Sequence, residues 1–242
     1  SVRRSLIIEL VDRSGVCGYG ESAPFEFPFY SAETISSVKA CLRETLLPRV
    51  VGREIRRPEA LLELLTDGVR GNRMARAGVD TAWWDLVARM RRESLAGLVN
   101  RRLSELGVAG KHLRPSDSVA CGVAIGIPAN EDLGVLENEV RTAVRRGYQR
   151  VKLKIRPGWD RDPVLAARRV LQSEGATVPM WVDANGAYDR AGHKEDLAAL
   201  DDLGLLFIEQ PFPEEALWDA TVQNNESRTP VCLDESLVSE DA

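Results

Sequence analysis

Three short apolar runs that each stop at a carboxylate constrain this chain more than any other feature. They are Val182-Asp183-Ala184-Asn185, Phe207-Ile208-Glu209-Gln210 and Cys232-Leu233-Asp234-Glu235. Their acids follow one another at intervals of 26 and 25 residues, with a turn and a helical pattern in between. A strand, loop, helix and return occupy about that length in a (β/α) barrel, where roughly 250 residues make eight units. In that architecture chemistry sits at the C-terminal ends of the strands. A fourth run, Val151-Lys152-Leu153-Lys154-Ile155, precedes them and ends on basic rather than acidic residues.

Strand–helix alternation is read from residue 119 onward: strands at 120–127, 150–155, 179–185, 205–210 and 231–235, with helices at 130–146, 160–173, 190–202 and 214–224. Five strands cannot close an eight-stranded barrel, so the chain is read as part of a longer polypeptide. Before it, residues 1–118 read as a separate α+β domain. It opens on a β-hairpin at 4–12 and 16–21. Helices follow from Ser31 as N-cap to about Val51, at 58–67, from Asn72 to about Met90, and at 94–106. Ala75, Ala77, Gly78 and Ala82 are small and permit close packing of the third helix, while Trp83 and Trp84 read as packing. Residues 107–118, with Gly, Pro and Ser and no periodicity, are the expected boundary.

Residues two apart on a strand share a face, so Lys152 and Lys154 point together. The chain has only five lysines against 27 arginines, and arginine cannot act as a base near neutral pH. Two neighbouring ammonium groups are expected to depress a pKa and free one amine as a base. The bland alternative is a solvated Lys-x-Lys face, against which the wholly apolar flanks count. Asp183, Glu209 and Asp234 are expected to converge, and three such anions call for a hard divalent cation: magnesium, with manganese as an alternative. The competing reading is that each acid caps its following helix or pairs with an arginine. Asn185 and Gln210 are expected to hydrogen-bond around the ligands, and Glu235 either joins them or binds an arginine. Phe25, Phe27, Phe29 and Tyr30 lie in one loop, which is either core packing or a substrate-facing lid.

Composition excludes several classes. A net charge of -5 and a pI near 5.3 argue against a general nucleic-acid surface. Two histidines without ligand spacing argue against zinc. No run approaches the length of a membrane span, and the first residues do not read as a signal peptide, so the cytoplasm is expected. Cys17, Cys41, Cys121 and Cys232 have no CxxC pairing and read as small buried thiols in a reducing compartment. The expected partners are a small-molecule carboxylate and further copies of the chain.

The motifs Lys152-x-Lys154, Asp183-x-Asn185, Glu209-Gln210-Pro211 and Asp234-Glu235-Ser236, in this order, resemble the muconate-cycloisomerase-like subgroup of the enolase superfamily. So do Arg73-Met74-Ala75-Arg76-Ala77-Gly78, Ala82-Trp83-Trp84-Asp85-Leu86 and Gly122-Val123-Ala124-Ile125-Gly126-Ile127. Within that subgroup the chain is most similar to the o-succinylbenzoate synthase and N-succinylamino acid racemase family. The resemblance implies an α+β capping domain over a TIM-like (β/α)₇β barrel, of which about five strands are present, with the 23–30 loop as part of the lid. It assigns Lys154 as acid/base, Lys152 as its electrostatic partner, and Asp183, Glu209 and Asp234 as metal ligands. A Lys or His base working with magnesium is the general pattern of that superfamily. The implied reaction removes the proton α to a carboxylate through an enediolate and eliminates water, as in menaquinone biosynthesis; racemisation of N-succinyl amino acids is the alternative. Two departures stand out: the family's sixth-strand lysine falls beyond residue 242, and residues 101–118 lack the usual Gly-Gly. A third reading is a non-catalytic fragment or binding protein that keeps the motifs.

Overall fold

The computed structural model of the chain describes residues 3–108 and 118–237, so most of the expected boundary at 107–118 lies outside them. The chain divides into two compact units, Ser1–Asp117 and Ser118–Ala242. No helix of the described residues is long and apolar enough to cross a membrane.

In the first unit, β1 (Leu6–Val11) and β2 (Cys17–Ser22) form an antiparallel hairpin with Leu6 opposite Ser22 and Val11 opposite Cys17. Its turn is tied by Asp12, whose carboxylate accepts the backbone N–H groups of Ser14 and Val16. β2 lies directly on the helix α4 (Arg73–Met90). A Cβ at Gly20 would sit 2.0 Å from the Gly78 carbonyl oxygen, and one at Gly18 would sit 2.3 Å from the Leu86 nitrogen. The small residues of α4 thus admit a strand, because glycine on both sides lets the two backbones touch. Ser22 and Asp85 complete the contact by hydrogen-bonding the Met74 carbonyl and the Tyr19 N–H.

The helix expected from Ser31 begins three residues later. Thr34 is its N-cap, in a reciprocal box with Ser37, and α1 runs Ile35–Cys41. A π-helical turn, Leu42–Leu46, leads into α2 (Leu47–Val50). It falls just before Pro48, whose ring removes a backbone donor from the ladder. α3 spans Pro58–Thr66 and α5 Leu95–Glu105 with Ser94 as N-cap. Asn72 does not cap α4 with its side chain. It adopts φ 49°, and Glu33, far back in the chain, accepts the N–H groups of Met74 and Ala75 instead. Val38, Leu42, Leu46, Leu61, Leu65, Val79, Ala82 and Trp83 fill the core of this unit.

The aromatic loop is not core. Phe27 and Phe29 are 63% and 60% exposed and Tyr30 is also exposed. The rings pack on one another, Phe25 to Phe29 at 4.4 Å and Phe27 to Phe29 at 5.0 Å between centroids, with Arg3 over Phe25. The cysteines also depart from expectation. None forms a disulfide, but Cys121 is exposed and the other three are only half-buried, Cys41 at the margin of the first unit's core.

The second unit is a parallel sheet in chain order: β3 (Gly122–Ile125), β4 (Arg150–Lys154), β5 (Met180–Asp183), β6 (Ile208–Glu209) and β7 (Val231–Cys232). The crossovers are α6 (Leu133–Arg145), α7 (Arg161–Ser173), α8 (Arg190–Ala198) and α9 (Leu217–Glu226). β5 and β6 end on their acids, short of the expected 185 and 210, because the backbone turns left-handed at Asn185 (φ 44°) and Gln210 (φ 38°). α6 starts late for the same reason, after Asn130 and Glu131 at positive φ. One face of the sheet carries Val151, Leu153, Met180, Val182 and Ile208, all essentially inaccessible, packed with Leu136, Val140, Val164, Ala167 and Val170 of the helices. Each of these aliphatic side chains is worth roughly 1.5–3 kcal/mol of burial. The period of two then sends every second residue to the other face.

Candidate active site

That other face carries the charges. Lys152 stands opposite Trp181, Lys154 opposite Asp183, and Asp183 opposite Glu209 across the parallel ladders. Lys152 Nζ lies 2.8 Å from Asp183 Oδ2 and 3.0 Å from Glu209 Oε1, and Lys154 Nζ lies 2.6 Å from Asp183 Oδ2. Asp183 is 1% and Glu209 9% exposed. The sheet register, set by the aliphatic face, therefore brings two half-buried lysines and two buried carboxylates into one cluster.

Other aspartates fill the helix-cap positions. α6, α7 and α8 are capped by Asp132, Asp160 and Asp189, and α9 has no side-chain cap. Asp183, Glu209 and Asp234 therefore cap no helix of this sheet, and no ion pair joins any of them to an arginine among the described residues.

Burial alone would lower the pKa of Lys152, but the hydrogen bonds and charges of Asp183 and Glu209 outweigh it and hold the ammonium above its usual range. This corrects the expectation of a depressed lysine here: carboxylate charge closer than the second ammonium decides the sign. Asp183 answers in kind. Burial pushes it up, yet its bonds to Lys152 and Lys154 keep it below the ordinary carboxylate value.

Lys154 also donates to Asn185 Oδ1, whose amide donates in turn to Glu235 Oε1 at 2.7 Å. Glu235 thus joins the amide network rather than an arginine, and its other oxygen is buried without a hydrogen-bond partner. Gln210 is fully enclosed. Its Oε1 accepts the N–H groups of Asp234 and Ser236, and its Nε2 donates to Ser236 Oγ and the Phe212 carbonyl. It fixes the segment that carries Asp234.

Asp234 differs from the other two acids. It is exposed at the surface of the sheet end and has no ion-pair partner among the described residues. Burial of part of its carboxyl, then the charges of Glu235, Glu209 and Asp183, push its pKa above the usual range. Negative charge here exceeds its local compensation. As placed, no three acidic, thiol or imidazole groups among the described residues enclose an ion, since the lysines draw Asp183 and Glu209 to themselves. In chemistry the set fits a hard cation: three carboxylates on adjacent strand ends, one uncompensated, and no soft or nitrogen donor required.

Trp181 was not singled out by sequence reasoning. Its indole Nε1 donates to Glu209 Oε2 at 2.8 Å and its ring packs on Phe207, 5.5 Å between centroids. The available signal was its position, two residues before Asp183 and so on the same face.

Residues 2–99 match the mandelate racemase / muconate lactonizing enzyme N-terminal domain, and residues 135–242 match the enolase C-terminal domain-like family. The chain is 36% identical to an o-succinylbenzoate synthase of Bacillus subtilis, covering 99% of this chain and 58% of that protein. It is 37% identical to an N-succinylamino acid racemase of Thermus thermophilus, over 97% of this chain and 58% of that protein. An enolase superfamily member from Listeria innocua superposes with a TM-score of 0.81 at 36% identity, over 95% of this chain and 56% of that one. The chain spans less than two thirds of the length of these relatives.

Proposed function

The chain belongs to the mandelate racemase / muconate lactonizing enzyme group of the enolase superfamily, and from that membership we propose that its protein is a metal-dependent lyase of the o-succinylbenzoate synthase type. The observation that carries the reading is the convergence of Lys152 and Lys154 on Asp183 beside Glu209, with none of the strand-end acids used as a helix cap. Membership supports dependence on a divalent metal. Magnesium is the choice for an all-oxygen set, with manganese as the alternative.

In this reading Asp183, Glu209 and Asp234 hold the ion, which when bound neutralises the charge that builds on the substrate carboxylate. Lys154 removes the α-proton of a cyclohexadiene carboxylate, and the electron pair of that C–H bond becomes the new double bond. The C–O bond to the leaving hydroxyl breaks, and the proton on Lys154 leaves with it as water. Asn185, bound between Lys154 and Glu235, orients the amine. Lys152, held by two carboxylates, stays charged and does not compete as a base. The four thiols without disulfides favour a reducing compartment, the cytoplasm.

A second reading, racemisation of N-succinyl amino acids, is supported by relatives of equal similarity under that name. It needs a base on each face of the carbanion, whereas syn-elimination runs with one. The deciding experiment assays the full-length protein on the cyclohexadiene carboxylate and on N-succinyl amino acids side by side, with magnesium and with chelator. Turnover of the first, lost on chelation, is expected. A protein that turns over neither substrate in magnesium refutes both readings.

A further inference from the structure

Glu209 is held from two sides by unlike donors. Lys152 takes Oε1 and the indole of Trp181 takes Oε2. The lysine also serves Asp183, whereas the indole N–H serves Glu209 alone. Trp181 stands beside Lys152 on the charged face of the sheet, half-buried, and its one polar atom meets a carboxylate nine-tenths buried. An indole is neutral and stays a donor at every pH. It therefore constrains the orientation of the carboxylate without neutralising its charge.

We infer that Trp181 is a positioning residue for Glu209, its indole N–H fixing one carboxylate oxygen so that the other, which already accepts from Lys152, turns its remaining lone pair to a divalent cation. The inference rests on the metal site of the proposed function. Phe207 supports the ring by a tilted packing contact and takes no part in the hydrogen bond. Hydrogen-bond partners of metal ligands commonly set affinity by 10–100-fold, and a neutral donor does so without competing for the charge.

The test measures divalent-ion affinity by calorimetry on the full-length protein, free of substrate. Trp181→Phe removes the donor and keeps a ring. Benzothienylalanine introduced at position 181 keeps the bicyclic shape and lacks only the N–H, so it decides the matter if the phenylalanine variant does not fold. Both are expected to raise the magnesium dissociation constant by about tenfold at unchanged melting temperature, with kcat recovering at saturating metal. Phe207→Leu is expected to change affinity less than twofold. A folded benzothienyl variant with wild-type affinity overturns the inference, as does an equal loss in Phe207→Leu, which would assign the effect to packing. If the unmodified protein binds no divalent ion at all, the proposed function fails first and takes this inference with it.

Discussion

The ends of β5 and β6 and the end of β7 carry the same kind of residue in different states. Asp183 and Glu209 are buried, each bonded to lysine, and Asp183 is held below the ordinary carboxylate range. Asp234 is exposed, without an ion-pair partner among the described residues, and pushed above it. The difference is one of reach: Lys152 and Lys154 rise from β4, beside β5 and one strand further from β6, and β7 lies beyond them. Positive charge is thus graded across the sheet, and the acid farthest from the lysines is the one that most lacks a counter-ion. A bound cation would level that gradient, which is why the contrast bears on function.

The sharpest way to test the contrast is to remove the base. Lys154→Ala is expected to slow α-proton exchange with solvent by about 10³-fold or more, at every pH. Exchange by NMR in deuterated buffer measures it, and a variant that still exchanges would remove Lys154 from its role.

Next in size is the loss of the shared counter-ion. Lys152→Met leaves Asp183 and Glu209 short of positive charge, and denaturant unfolding of the metal-free protein should show a loss of about 3 kcal/mol. The pH dependence has a defined sign. Asp183, lowered in the fold, contributes stability present above its unfolded value of 3.8 and lost as pH falls through its lower folded value. Lys152, raised, contributes stability present below 10.5 and lost as pH rises through its folded value. The difference between wild type and Lys152→Met should therefore persist between these limits and shrink beyond both.

Gln210→Leu strips the N–H groups of Asp234 and Ser236 of their acceptor. It should cost about 2 kcal/mol and loosen the β7 end while leaving the Lys152–Asp183 pair intact. Hydrogen exchange confined to residues 234–236 would bear this out; protection lost around β4 and β5 would contradict it.

The smallest effect has the opposite sign. A raised carboxyl is a cost that appears as pH rises through its folded value, so Asp234→Asn should stabilise the metal-free protein slightly at neutral pH, by a few tenths of a kcal/mol, within the range of surface substitutions. Destabilisation by this variant would mean that Asp234 is compensated and that the gradient does not exist.

Much of this was legible beforehand. The order of strands and helices follows from local periodicity, as do the shared face of Lys152 and Lys154 and the placement of acids at strand ends. Element ends were less so. The left-handed turns at Asn185 and Gln210 stop the strands at their acids, short of the ends expected at 185 and 210, and Glu33 caps a helix that begins some forty residues later. The cysteines were misread as buried, and the aromatic loop could not be assigned to core or surface, because an apolar neighbourhood in sequence is not one in space.

What the sequence determined by itself is which residue types meet on which face, because chain geometry fixes a period of two on strands whatever the surroundings. What only the tertiary structure decided is the pairing: other aspartates capping the helices, the indole of Trp181 on Glu209, and a charged rather than depressed Lys152. Those outcomes depend on which groups stand within about 3 Å once register is set, and competition among several charges at that range cannot be read along one strand.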